Sequence, residues 1–238
     1  RNPRKGGGES VFDVGAVERD DAIDSEDWYV DADKGDDDYE GDDKGFAAHP
    51  FKTLQAAMDD ERVKAQHTVH VRPGTYAEGN APAASGYQTV SRVAVKDDVT
   101  LVSTDGPAVT TIKGADGCRC VKLGANAVLR GFTLEGGKTT PHVDGKEENG
   151  GGISGGSGTV IDCIIRNCSA YRGGGASTKA DFIRCQFFDN TASYTGSAGF
   201  QKANYFNCLF KGSSSYLLYQ AGKVVNCTFM GSATSEAS

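Results

Sequence analysis

Long hydrophobic runs and proline are scarce in this sequence. The apolar runs among its 238 residues are far shorter than the about 20 residues that a membrane-spanning helix needs. There are six prolines and no strict triplet repeat, which excludes a collagen-like chain. A basic patch with interleaved aromatic residues is also missing and the net charge is −7, so nucleic acid is not an expected partner.

Glycine is abundant instead, with 32 copies, about twice its ordinary share. Apolar residues make up 38% and charged residues 24% of the chain, which indicates one globular domain with or without an appendage. The first residue is Arg1 rather than Met, which suggests a processed or excised chain. We expect an extracellular or cell-surface location, with an organelle lumen, after removal of a targeting peptide, as the alternative.

A six-residue pattern with cysteine at its fourth position recurs four times. The copies are Val160–Ile165, Phe182–Phe187, Tyr205–Phe210 and Val224–Phe229. Their cysteines are 22, 23 and 19 residues apart. A glycine-rich pattern runs beside it with a spacing of 23, at Ile153, Ala176, Gly199 and Gly222. A period of this length is typical of a solenoid in which short strands stack on copies of themselves.

Apolar and polar residues alternate within each copy, which predicts strands. In the first copy Ile161, Cys163 and Ile165 are expected to face inward and Asp162 outward. Gly131 is expected to mark a bulge in an earlier strand. The earlier predicted strands are Thr68–Val71, Arg92–Val95, Val99–Ser103, Val109–Lys113, Val121–Leu123 and Val128–Leu134.

Several segments carry a resemblance to a known family. Trp28–Asp31, Pro50–Ala57 and Val71–Tyr76 resemble the entry module of pectate-lyase-like right-handed parallel β-helix proteins. Val128–Leu134, together with the cysteine repeats, is similar to polymorphic outer membrane protein repeats. The resemblance implies an all-β fold, a right-handed single-stranded parallel β-helix of about 22–23 residues per coil with an N-terminal capping helix. That family includes lyases, hydrolases, adhesins and structural modules, so the fold does not settle the activity.

The predicted organisation has three parts. Residues 1–27 form an N-terminal arm, residues 28–80 an entry module, and residues 81–238 the coils. Residues 50–66 predict an amphipathic helix that covers the open end of the sheets. Its apolar stripe consists of Phe51, Leu54, Ala57 and Met58.

The other end of the predicted solenoid has no comparable cover. The residues from Gly231 to Ser238 are small and polar, so they cannot shield an apolar interior. We therefore expect further coils or a protein partner at the C-terminal end, and a short tail lying across that end is the alternative. The arm is a second expected docking place for a partner.

The repeat cysteines are expected to form an inward column, listed as Cys163, Cys185, Cys208 and Cys227. The main interpretation is that they are small apolar core residues. Disulfides and a metal site are alternatives, although in-register thiols point the same way and zinc needs converging ligands. Cys118 and Cys120 share one strand face and could bond Cys168 or each other. Because there are seven cysteines, at least one lies outside any intrachain disulfide.

Two further groups of side chains are candidate sites. Asp31, Asp33, Asp36 and Asp38 lie in an acidic stretch that offers the oxygen ligands calcium prefers, and the alternative is a solvated acidic loop. A tyrosine ladder can stack on sugar rings or on a protein neighbour, or it can stabilise the solenoid itself. Its members are Tyr171, Tyr194, Tyr216 and Tyr219.

A catalytic constellation is not evident in the sequence. The histidines are scattered and each is expected at the surface or in a turn; they are His49, His67, His70 and His142. The outward column beside the cysteines offers one coil-to-coil ion pair, Asp162 with Arg184, rather than paired carboxylates. A Ser-His-Asp set and a phosphate-binding loop are also missing.

We therefore expect a non-catalytic β-helix module that is a structural or binding part of a larger extracellular or lumenal assembly. Polysaccharide is one candidate ligand. A calcium-dependent polysaccharide lyase is the alternative, and a surface adhesin or passenger domain is a third reading. An outer groove with two or three acids and a basic residue would favour the lyase.

Overall fold

A computed structural model describes residues 26–140, 149–212 and 216–231. These residues form an all-β fold with one short helix, α1 (Leu54–Asp59), and the strands stack in parallel in three sheets. From the second strand onward the chain passes from the first sheet to the second and then to the third, and one such pass is a coil. This is the arrangement of a parallel β-helix, and its right-handed sense stays a prediction.

Each sheet is a column of strands taken from successive coils. The first sheet contains, in spatial order, β1 (Asp27–Val30), β2 (Thr68–Val71), β5 (Thr100–Ser103), β8 (Val128–Arg130), β11 (Thr159–Ile161), β15 (Asp181–Ile183), β19 (Asn204–Phe206) and β22 (Val224–Val225). The second contains β3 (Gly74–Tyr76), β6 (Thr110–Lys113), β9 (Thr133–Glu135), β12 (Ile164–Arg166), β16 (Gln186–Phe188), β20 (Leu209–Lys211) and β23 (Thr228–Met230). The third contains β4 (Val90–Ala94), β7 (Cys118–Leu123), β10 (Ile153–Gly155), β14 (Ala176–Thr178), β18 (Gly199–Phe200) and β21 (Leu218–Tyr219). A separate parallel pair joins β13 (Ser169–Arg172) to β17 (Thr191–Thr195).

The strand register confirms that the cysteine repeats stack on one another. Ile165, Phe187, Phe210 and Phe229 lie in one column, each paired with the equivalent residue of the next coil. The rings of Phe187 and Phe210 stack 5.0 Å apart, and those of Phe210 and Phe229 stack 4.9 Å apart. Offset stacking of this kind adds to the burial of large apolar side chains, so the interior holds the coils together.

The glycine-rich repeat stacks as predicted in two of its three steps. Ile153 pairs with Ala176 and Ala176 with Gly199, but Gly199 pairs with Leu218 rather than with Gly222. The prediction for Gly222 is wrong because the last coil is shorter, as the cysteine spacing of 19 already indicates.

The prediction that Ile161 faces inward is wrong, because Val160, one residue earlier, is buried in its place. Val160 and Cys163 are fully buried, whereas Ile161 and Asp162 are partly exposed. The strand breaks because Asp162 has a positive φ of 53°, which turns the chain sharply between β11 and β12 and resets the alternation. Gly131, with a φ of 79°, occupies the same corner and therefore divides the predicted strand rather than marking a bulge.

The entry region contains the predicted helix in a shortened form. The helix spans only Leu54–Asp59, and the Thr53 hydroxyl caps it by accepting a hydrogen bond from the Ala56 amide at 3.2 Å. The predicted apolar stripe is buried, and the helix packs against β1 and β4. Its role as a cap of the sheets stays a prediction.

Some sequence expectations fall outside the described residues. These are the arm up to residue 25, His142 and the residues after Gly231. The division into an entry module and coils at residue 80 also stays a prediction. Within the described residues, none of the helices has the length and apolar character to cross a membrane.

Candidate ligand-binding surface

The outer face of the third sheet carries a row of in-register side chains. Lys122, Ser154, Ser177, Phe200 and Tyr219 are paired from coil to coil, and we call this row the outer strip. The buried residues on either side of Lys122, Val121 and Leu123, turn inward and leave the lysine outside. Four strand spacings give the strip a length of about 19 Å.

One end of the outer strip is the floor of a basic groove of about 250 Å³. The lining residues are Pro82, Ala84, Tyr87, Thr89, Ser91, Arg119, Lys122, Asn149, Ser154, Gly155, Ser177 and Gln201. Among these described residues two side chains are cationic and none is a carboxylate. The Arg119 guanidinium is held in place by donating to the Asn149 carbonyl at 3.0 Å.

Lys122 is the less restrained of the two cations. Its side chain is exposed and makes no hydrogen bond or ion pair within residues 26–140, 149–212 and 216–231. Both basic residues face outward because β7 buries two consecutive residues, Cys120 and Val121, and so changes the phase of its alternation between them. The described lining of the groove is therefore cationic although the protein is acidic, and clustered charge of one sign attracts a ligand of the opposite charge.

The other end of the outer strip is aromatic. Phe200 and Tyr219 stack with their ring centres 6.1 Å apart. Beside them Tyr171 and Tyr194, from β13 and β17, stack at 5.5 Å with their planes within 10°. The side chain of Tyr194 is 58% exposed, and Tyr171 also lines a second depression of about 400 Å³.

Arg172 joins the two aromatic pairs. Its guanidinium carbon lies 5.2 Å from the ring centre of Tyr171, 4.9 Å from that of Tyr194 and 5.4 Å from that of Phe200. Each cation–π contact at such an exposed place is worth about 0.5–1 kcal/mol. The arginine therefore connects three aromatic rings.

The structure brings together three of the four predicted binding tyrosines, Tyr171, Tyr194 and Tyr219. Tyr216 is apart from them: its carbonyl accepts hydrogen bonds from the amide and hydroxyl of Ser197, and its ring makes no aromatic contact among the described residues. Sequence reasoning missed several members of the surface. These are Tyr87, Arg119, Lys122, Arg172 and Phe200.

The acidic residues predicted to bind calcium have other roles in the loop. One oxygen of Asp31 accepts hydrogen bonds from the amides of Asp33 and Lys34 at 3.0 Å, and the other accepts from Arg72 at 3.1 Å. Burial favours a higher pKa for Asp31, but these amide and guanidinium donors outweigh it and hold the pKa below its usual value.

The other three members of that set, Asp33, Asp36 and Asp38, are exposed, and the Asp36 carboxylate accepts from the Asp38 amide at 2.9 Å. In the part of the chain that the structure describes, no three His, Cys, Asp or Glu side chains converge as a metal site would require. The calcium assignment stays a prediction.

The repeat cysteines lie at the corner between the first and second sheets. Cys163, Cys185 and Cys208 are buried, which confirms the inward prediction for three of the four, whereas Cys227 is partly exposed. Each thiol donates to a carbonyl of the preceding coil, for example Cys185 to Val160 at 3.3 Å. Burial raises the pKa of Cys163 to about 12, so its thiol is protonated and inert.

All seven cysteines are free thiols. Cys118 lies 3.4 Å from the side-chain oxygen of Asn80. The buried thiols of Cys120 and Cys168 share a hydrogen bond, and burial, followed by this bond, raises the pKa of Cys120 well above its usual value.

The outward corner residues and the described histidines make local contacts. Arg184 holds Asp162 through two hydrogen bonds of 2.7 and 2.9 Å, as the predicted coil-to-coil ion pair requires. His67 accepts from the Trp28 indole at 3.0 Å, and His70 contacts Asp27 at 2.7 Å. His49 stacks on Tyr39 with ring centres 4.3 Å apart. These three histidines all lie outside the groove.

Comparison with known proteins adds no relative to this description. No protein-family model matches the chain, and neither a curated sequence nor a solved structure is significantly similar to it.

Proposed function

We propose that the chain is a non-catalytic β-helix module that binds an acidic polysaccharide along the outer strip, as part of a larger extracellular or lumenal assembly. The single observation that carries this proposal is the groove whose described lining residues combine Arg119 and Lys122 with hydroxyl side chains and include no carboxylate. Its aromatic continuation over Phe200 and Tyr219 supports an extended ligand rather than a small molecule.

The chemistry of the strip fits the parts of such a polymer. Lys122 and Arg119 provide charge-assisted hydrogen bonds for an anionic substituent, and the guanidinium plane suits a carboxylate or a sulfate. The hydroxyls of Ser154 and Ser177 offer further hydrogen bonds to ring hydroxyls. The exposed ring of Tyr194, which stacks on Tyr171, offers an apolar platform for a sugar ring.

Binding without catalysis accounts for the residues of the groove better than hydrolysis or elimination does. Glycoside hydrolysis needs two carboxyl groups at a fixed separation, and calcium-assisted elimination needs acids beside the base. The described lining residues provide bases without acids. The finer family assignment, a right-handed β-helix of the pectate-lyase-like kind, is part of the same proposal. Its right-handed sense is supported by the fact that parallel crossovers are right-handed in nearly all proteins.

We also propose that a protein partner docks on the last described coil by adding a strand. Val224, Val225, Phe229 and Met230 are large apolar residues that are 37–50% exposed there. The outer edges of β22 and β23 have no neighbouring strand among the described residues. An unpaired parallel edge with apolar side chains is suited to accept a strand from another chain.

Affinity measurements with polygalacturonate and with neutral dextran test the glycan proposal. We expect the acidic polymer to bind and to lose about tenfold in affinity, or ~1.4 kcal/mol, in each of Lys122→Glu and Arg119→Glu. Lys113→Glu is the matched control, because Lys113 is an exposed lysine of the second sheet. Equal binding of both polymers, or an equal loss in the control, would contradict the proposal.

The same samples distinguish the lyase alternative. We expect no ultraviolet absorbance from unsaturated products when calcium and polygalacturonate are incubated with the protein. A steady rise of that absorbance would replace the binding module with an enzyme.

A further inference from the structure

The last two cysteines of the column are neighbours in the last two coils that the structure describes. Cys208 and Cys227 directly precede the in-register pair Leu209 and Thr228. Their Cα atoms are therefore about one strand spacing apart, ~4.8 Å, which lies within the range that a disulfide bridges. The Cys208 amide also donates to the Cys227 sulfur at 3.4 Å.

The earlier cysteines of the column, Cys163 and Cys185, have less freedom to move than Cys227. Parallel in-register side chains point the same way, so a disulfide requires the two Cβ atoms to approach by about 1 Å. Cys163 and Cys185 are fully buried and lie between strands of neighbouring coils on both sides. Cys227 is partly exposed, and its coil is paired on one side only among the described residues, so this coil alone can shift toward its neighbour.

We propose that Cys208 and Cys227 are an oxidisable dithiol that closes to a disulfide in the presence of a small disulfide oxidant such as oxidised glutathione. The thiolate of Cys227, the more accessible of the two, attacks the oxidant, forms a mixed disulfide and releases one glutathione thiolate. The Cys208 thiolate then attacks the Cys227 sulfur, forms the protein disulfide and releases the second glutathione. The two cysteines lose two protons and two electrons, and the oxidant is reduced to two thiols.

The surroundings of Cys208 suit the second step. A hydrogen bond from the Cys185 thiol lowers the pKa of Cys208, and burial raises it by a smaller amount. The pKa of Cys208 is therefore below its usual value. Burial, by contrast, raises the pKa of Cys227. Once Cys227 carries the mixed disulfide, the thiolate favoured at Cys208 is next to the sulfur that it must attack.

Closure would fasten the last described coil to the coil before it. β22 and β23 flank Cys227 and carry the exposed apolar residues of the last described coil. The disulfide would hold these strands against β19 and β20 and so make local opening of the coil rarer. This redox control is independent of ligand binding at the outer strip.

Thiol counting and non-reducing peptide mapping of the native chain test the proposal. After incubation with oxidised glutathione we expect the seven free thiols to fall to five, with one peptide pair joined through Cys208 and Cys227. Hydrogen exchange of the Thr228–Met230 amides should become slower in the oxidised protein. Because the peptide map is made on the wild-type protein, its result does not depend on whether a variant folds correctly.

Serine variants assign the reaction to this pair. Cys227→Ser should abolish the loss of thiols, whereas Cys163→Ser should leave it unchanged, because a serine hydroxyl can donate to the Ile161 carbonyl, which lies 3.3 Å from the thiol sulfur. Retention of seven thiols in the wild-type protein would overturn the proposal. So would a glutathione adduct on Cys227 that leaves Cys208 free, or a disulfide between any other cysteines.

Discussion

Two kinds of segment link the sheets within a coil, and they differ in how constant their length is. One is the corner between the first and second sheets, and the other is the connection between the second and third sheets. In five successive coils the corner consists of two residues, from Gly131 and Phe132 to Asn226 and Cys227. The connection ranges from four residues, 114–117, to seventeen, 136–152. The constant corner sets the stacking of the coils, and the variable connection is free to carry side chains for recognition.

The chemistry of the two regions follows the same division. At the corner a left-handed residue is followed by a cysteine or phenylalanine that is buried in four of the five coils, so a larger or charged side chain there would disturb the adjacent coils. The connection contributes Tyr171, Arg172 and Tyr194 to the surface of the molecule. The variable connection therefore adds side chains to the candidate surface beside the in-register residues of the outer strip.

Replacing Cys185 with aspartate should have the largest effect on stability. The substitution places a charge without a partner in the fully buried corner, which should lower the free energy of unfolding by about 3–5 kcal/mol or prevent folding. Urea denaturation followed by circular dichroism measures it. Gln186→Asp is the matched control because the next side chain is only partly buried, and similar midpoints for the two variants would break the distinction.

Tyr205 and Gly199 should show a coupled effect of intermediate size. The Tyr205 hydroxyl is buried with no hydrogen-bond partner among the described residues, and a Cβ at residue 199 would clash with it. We expect Tyr205→Phe to raise the free energy of unfolding by about 1 kcal/mol, because it removes an unsatisfied polar group. Gly199→Ala should lower it by about 1–3 kcal/mol.

The double variant is the decisive measurement for that pair. Gly199→Ala should cost less in the Tyr205→Phe background, since the closest clash disappears. Strictly additive effects in the double-mutant cycle would mean that the hydroxyl and the glycine are not in contact.

The sequence predicts the stacking of the coils well but not the direction of every side chain. The cysteine spacing is sufficient for the register because equivalent residues must meet in adjacent strands. The inward face of Ile161 was predicted wrongly, because Asp162 adopts a left-handed conformation that alternation alone does not reveal. A signal for this turn was present in the sequence: aspartate, asparagine or glycine recurs directly before three of the four cysteines of the repeat and before Phe132. These residue types tolerate positive φ.

The candidate surface could be predicted only in part. The spacing of 23 between Tyr171 and Tyr194 is enough to place them together, because it equals one coil. Lys122 and Arg119 could not be assigned to the same face, because they are three residues apart and strict alternation places them on opposite faces. Two consecutive buried residues between them reverse that expectation, and only the packing shows this.

A smaller effect is expected from acid in the entry region. Because the pKa of Asp31 is lowered in the folded protein, its stabilising contribution is present above the usual value of 3.8 and is lost as the pH falls through the folded value. Asp31→Asn should therefore flatten the decline of stability in acid. Denaturation midpoints between neutral and acid pH measure this, with the exposed Asp33→Asn as control. If stability declines in acid as steeply in Asp31→Asn as in the wild-type protein, the contacts of Asp31 with backbone amides and Arg72 do not favour its charged form.

Replacing Tyr194 with alanine should have the smallest effect on stability. The ring is 58% exposed on the variable connection, so the free energy of unfolding should change by no more than about 0.5 kcal/mol. Affinity for polygalacturonate should nevertheless fall about tenfold, because the stacked platform with Tyr171 and Arg172 is lost. Tyr216→Ala is the control, since Tyr216 has no aromatic contact among the described residues. If Tyr194→Ala instead lowers stability and leaves binding intact, the tyrosine pair belongs to the scaffold, and the variable connection is as structural as the corner.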